Sequence, residues 1–107
     1  MTENLPAAFT TTLTAAAPPT AWPAPLAALW WLAREPSRPG STGWDRAHAL
    51  VQADPGRAAA WVHAHLHRIE GDAANARYWY DRAGHEEPRG TLAAEHAAIV
   101  TALHDRL

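Results

Sequence analysis

Residues 59–68, AAWVHAHLHR, set His63, His65 and His67 at alternate positions beside Trp61. Imidazoles ligate transition metals and exchange protons near neutral pH, so this spacing raises metal binding or proton transfer. On a strand all three rings would share one face, whereas on a helix each residue turns by about 100° and the triplet separates. Residues 57–70 contain no Gly or Pro, and Ala59, Val62, Leu66 and Ile69 recur at intervals of three and four, the period of an amphipathic helix. Residues 62–67 alternate locally, but the Ala-rich flanks and the length favour the helix. His63 and His67 then lie one turn apart, with Glu70 continuing the same flank, and His65 falls on the other side with Trp61 and Arg68.

The H-x3-H-x2-E pattern of His63, His67 and Glu70 directs two imidazoles and a carboxylate toward one ion, a donor set suited to zinc or copper. A fourth ligand is needed. His48 on the preceding helix is the first candidate and His96 near the C-terminus the second. A coordination position left open would permit hydrolytic or redox chemistry. The competing reading is packing, with His63 and His67 hydrogen-bonded across to Asn75 or Tyr80. A second constellation lies in NARYWYDR, residues 75–82. There Asn75, Tyr78 and Arg82 share a face with Trp79 at its edge, the residue types that dominate protein-binding hot spots.

The elements that must carry these side chains all read as helices. Residues 25–34, PLAALWWLAR, space Leu26, Leu29, Trp30 and Ala33 helically behind Pro25, which suits a first turn. Residues 35–43 are a Pro/Gly/Ser loop. The helix after it starts at Thr42, with Asp45 in a capping-box relation. ADPG interrupts that helix at 53–56. Gly71 suits a left-handed helix stop and Asp72 an N-cap for a helix over 73–84, with Ala73, Ala76, Tyr80 and Ala83 on one stripe. GHEEPRG is a loop, and a last helix over 91–106 turns Leu92, His96, Ile99 and Leu103 inward. No strand candidate survives. The expected fold is all-α, about five helices in antiparallel neighbours over residues 23–107. Residues 1–22, rich in Ala, Thr and Pro, read as a mostly irregular arm whose Phe9 or Trp22 docks onto the domain. Trp30, Trp31 and Trp44 read as core or interface filling.

The spacing of Ala64, Gly71, Ala76, Tyr80, Ala83 and Pro88 resembles the small, glycine, aromatic and proline positions of one tetratricopeptide repeat. GWDRAHALVQ resembles the second helix of a preceding, degenerate unit, with Ala47 in the small-residue role. Ala60, His63 and His67 depart from the pattern, standing where the family carries Trp, Leu and Tyr. The wording WVHAHLHRIEGDAANARYWYDRAG also resembles that of small, uncharacterised bacterial proteins with such a hairpin. The resemblance implies a short stack of helical hairpins closed by a capping helix. It also implies that Trp61, His65 and Arg68 line the inner groove, which in this family takes a peptide. Two hairpins are short for an independent stack, which points to a homodimer.

Composition narrows the functions. Of 107 residues, nine are basic and eleven acidic, a net charge of −2, so no nucleic-acid surface is expected. All nine basic residues are Arg. The absence of Cys removes disulfides, thiolate metal sites and thiol nucleophiles. No apolar run suits a bilayer and the N-terminus lacks a signal-like pattern, so neither membrane nor export is expected and the cytoplasm is the default. No nucleophile elbow, phosphate loop or dinucleotide fingerprint occurs, and whether the chain is an enzyme stays open. The leading expectation is a small helical module, without cofactor, that binds a protein or peptide through Trp61, His65, Arg68, Asn75, Tyr78 and Arg82. The alternative is a zinc or copper protein, or a metal-dependent enzyme, built on His63, His67, Glu70 and His48. A third is a small-molecule pocket roofed by Trp and Tyr, with His as acid or base.

Overall fold

Short polar side chains start three of the helices by satisfying first-turn N–H groups that have no partner within the helix. Ser41 accepts from the Trp44 amide at 3.1 Å, Asp72 from Asn75 at 3.1 Å, and Thr91 from Ala94 at 3.0 Å. In the computed structural model, which describes residues 5–34 and 40–107, these caps open α3 (Thr42–Gln52), α5 (Ala73–Ala83) and α6 (Leu92–His104). α4 (Arg57–Glu70) follows Gly56 and stops where Gly71 adopts φ 83°, a conformation open to glycine at little cost. α2 (Ala24–Arg34) precedes them, and near the N-terminus α1 (Ala7–Thr10) runs into a 3-10 turn (Thr11–Thr14). The described residues are therefore all helix and connection, with no strand and six α-helices where about five were expected. Among them no helix is long and apolar enough to cross a membrane.

Two expectations need amendment. The cap of α3 is Ser41, one residue before the expected Thr42, because the Ser41 hydroxyl is the group that reaches the Trp44 amide. The arm, expected to be mostly irregular, is helical over Ala7–Thr10 and Thr11–Thr14, and the docking expected of Phe9 supplies the apolar burial that the composition of the segment lacks. Phe9 is fully buried and stacks on Trp22 with ring centroids 5.6 Å apart. Trp30, also fully buried, donates from Nε1 to Thr12 Oγ1 at 3.1 Å, and the Arg34 guanidinium donates to the Ala15 carbonyl. Residues 1–4, and residues 35–39 of the expected loop, lie outside the described residues.

α4 is the element around which the others assemble, packing against α2, α3, α5 and α6. Its inward stripe, Ala59, Val62 and Leu66, joins Phe9, Leu26, Leu29, Trp30, Val51, Ile99 and Val100 in the main core. Ala64 meets Ala76 and Tyr80 in a second, smaller cluster against α5. Small side chains at 64 and 76 bring the two helices close. Trp44 ties α3 to α4 by donating from Nε1 to the Leu66 carbonyl at 3.1 Å. Because α4 has neighbours on most sides, eight of its residues are buried, including all three histidines of the opening motif.

Candidate metal centre

His63 and His67 lie one turn apart on α4, as the helical period requires, and face α3 where His48 is carried. Their ring centroids are 4.9 Å apart, and the His48 ring meets His63 edge-on at 4.9 Å and His67 at 5.8 Å. One ring nitrogen from each of the three lies within 4.8 Å of the other two. A tetrahedral zinc with Zn–N bonds of about 2.0–2.1 Å would need these nitrogens about 3.3 Å apart. No fourth imidazole or carboxylate joins all three among the described residues.

Indole rings hold two of the imidazoles from outside. Trp44 lies parallel to His48 at 5.1 Å, and Trp79 parallel to His63 at 3.9 Å. One face of each ring is thereby covered, while one nitrogen of each ring stays within 4.8 Å of those of the other histidines. His63 is 5 % exposed, and its Nδ1 has no hydrogen-bond partner. A buried polar atom without a partner costs free energy, about 1–3 kcal/mol, unless something satisfies it.

Glu70 has a different place from the one its spacing suggested. Its Oε1 accepts from His67 Nδ1 at 2.7 Å, which restrains the ring and leaves Nε2 outside this bond. A carboxylate behind a ligating imidazole is the usual outer partner of a metal site. Glu70 also groups with His67 and Asp72, but not with the three histidines together. Burial, then the neighbouring His67 and His48, pushes His63 down to about 4. His48 is lowered by burial and by His67, against the opposing pull of Glu70 and Asp45. Both rings are therefore neutral at pH 7, the form that ligates metals.

The remaining expected site residues go elsewhere. His65 is 1 % exposed and donates from Nδ1 to Glu95 Oε1 at 2.6 Å, joined there by Arg68 at 3.1 Å. Tyr80 donates its hydroxyl to the other carboxylate oxygen of Glu95, so neither Tyr80 nor Asn75 supplies the bonds to His63 and His67 that packing alone would need. Burial opposes ionisation of Glu95, but the bonds from His65, Tyr80 and Arg68 outweigh it and hold the carboxyl below its ordinary range. Trp61 stacks on His85 at 3.7 Å, away from His65. His96 donates from Nε2 to the Leu29 carbonyl at 2.9 Å and is not part of the cluster. On α5, Tyr78 is 52 % exposed, with the Arg82 guanidinium donating to its hydroxyl at 3.2 Å and lying over its ring.

Glu95 is the residue that sequence reasoning missed. Its signal was present: Glu95, Ile99 and Leu103 recur every fourth residue, so the carboxylate shares the buried stripe of α6. Comparison of the chain with family models, with curated proteins and with solved structures finds no match.

Proposed function

We propose that this chain binds one divalent transition-metal ion, zinc or copper, on His48, His63 and His67, with Glu70 bracing His67. The observation that carries the reading is His63 Nδ1: a buried nitrogen without a partner, held neutral, in a cluster with two further imidazoles. Imidazole donors suit zinc, copper and nickel, and three of them outrank the two imidazoles and one carboxylate legible in H-x3-H-x2-E. The test is titration of tag-free protein with zinc and with copper, followed by elemental analysis. One ion per chain is expected, with affinity reduced at least tenfold in His48→Ala and in His63→Ala. Absence of stoichiometric metal, or wild-type affinity in both variants, overturns the proposal.

A second reading is supported by the exposed Tyr78 with Arg82 laid across it. In it, α4 and α5 form a tetratricopeptide-like hairpin, consistent with the close contact of Ala64, Ala76 and Tyr80, and the α5 face binds a protein or peptide. His65 makes no contribution there, being buried against Glu95. Retention of every captured partner by the Tyr78→Ala, Arg82→Ala double variant removes this reading.

A further inference from the structure

Resting on the metal reading, we infer that the trihistidine centre is an open site whose fourth coordination position takes an exogenous small anion in exchange for water. Three features point to it. The first is the donor count. His48, His63 and His67 bring one nitrogen each within 4.8 Å of one another, and among the described residues no other imidazole or carboxylate joins all three. Closed structural zinc sites have four protein ligands, whereas sites with three keep the fourth position for water or substrate.

The second is charge. Imidazole ligands carry no formal charge, so the inner donors themselves do not offset a divalent cation, and the carboxylates that act on His48, Glu70 and Asp45, do so from outside the three donors. The nearest carboxylate, Glu70, has Oε1 committed to His67 Nδ1 at 2.7 Å. An anionic fourth ligand supplies the compensation that the inner donors lack, which selects azide, formate or hydroxide over neutral donors.

The third is access. His63 and His67 are buried, but His48 on α3 is only partly so, and the Glu70 side of the cluster is exposed. Trp44 and Trp79 close the ring faces of His48 and His63. The seam between α3 and α4 beside His48 is therefore the edge from which a small ligand arrives.

Cobalt(II), whose visible bands report coordination, provides the test in the full chain. Tag-free protein is loaded with one equivalent of cobalt(II) and titrated with sodium azide, then with sodium formate, at fixed pH and ionic strength. A saturable shift of the visible bands with each anion, with cobalt retained and imidazole-ligand signals preserved, is the expected result. Cobalt bound with bands that neither anion moves means four protein donors and overturns this inference, leaving the metal reading intact. Failure to bind cobalt, zinc or copper at all overturns the metal reading and this one with it.

Discussion

Glu70 Oε1 and His67 Nδ1 are joined by a 2.7 Å hydrogen bond between residues three apart on α4. The carboxylate oxygen therefore acts directly on the imidazole. By accepting from Nδ1 it selects the tautomer whose Nε2 lone pair is free and restrains the ring. Removal of such outer partners typically lowers metal affinity about 10–100-fold. Glu70→Ala is expected to weaken zinc binding by that factor with one ion still bound. Glu70→Gln, whose amide oxygen still accepts, should lose less. Competition against a chromophoric chelator measures both; wild-type affinity in Glu70→Ala refutes the bracing role.

The separation of the three histidines was legible because it depends only on helical period. Val62 and Leu66 set the inward direction of α4, and His63 and His67 fall to one side of it whatever the helix packs against. His48 was legible as a partner because a preceding helix tends to lie beside its successor. Glu70 was misplaced because spacing fixes the flank of a side chain but not which atom it approaches, and an i,i+3 carboxylate reaches the imidazole on its own helix before it reaches an ion. His65 was misjudged for a different reason. Its exposure is decided by α6, and nothing within residues 57–70 shows that Glu95 arrives from thirty residues away. Phe9 was underweighted because composition averages over a segment, and one aromatic in a Thr/Ala stretch suffices to anchor it.

Glu95 holds α6 to α4 and α5 through His65, Arg68 and Tyr80, and it is 5 % exposed. Truncating it leaves an imidazole, a guanidinium and a phenol facing a void without their acceptor. Removing one partner from a buried ionic cluster costs about 3–5 kcal/mol, so Glu95→Ala should lose about that much stability. Tyr80→Phe removes a single bond to a charged acceptor and should cost about 1.5–3 kcal/mol. Urea unfolding followed by Trp fluorescence measures both. A Glu95→Ala protein within about 1 kcal/mol of wild type contradicts this account.

His96 sets an acid limit on the fold. Burial pushes it down to about 4, opposed by its bond to the Leu29 carbonyl and reinforced by the nearby His65. Its ring is packed by Phe9 edge-on at 6.3 Å and by His65 at 6.1 Å. Since the folded state disfavours the proton, the unfolded chain binds it first, near pH 6.5, and stability rises with pH between about 4 and 6.5. The contribution is fully present above pH 6.5 and is lost as pH falls toward 4, where the folded protein also takes up the proton. One pKa unit corresponds to about 1.4 kcal/mol, so His96 contributes at most about 3 kcal/mol across this window. In metal-free protein, His96→Gln should flatten the decline in stability between pH 7 and pH 5. An unchanged pH profile in that variant assigns the acid sensitivity to other groups.

The N-terminal segment is part of the core and not an appendage. Phe9 is fully buried between Trp22 and His96, Trp22 meets His104 of α6 edge-on at 6.0 Å, and Thr12 accepts the Trp30 indole N–H. Replacing a buried Phe by Ala removes its transfer free energy and leaves a cavity, together about 3–5 kcal/mol. Phe9→Ala should therefore destabilise the whole domain by that amount, although the residue sits in a Thr/Ala-rich stretch. Thr12→Val, nearly isosteric, leaves the Trp30 N–H without its acceptor and should cost about 1–3 kcal/mol. Deletion of residues 1–16 should exceed either, because it exposes the Leu26 and Trp30 side of α2 to water. Thermal unfolding of the three variants separates a docked segment from a tethered one: a tethered arm gives melting temperatures equal to wild type in all three, whereas a docked one gives losses that deepen from Thr12→Val through Phe9→Ala to the deletion.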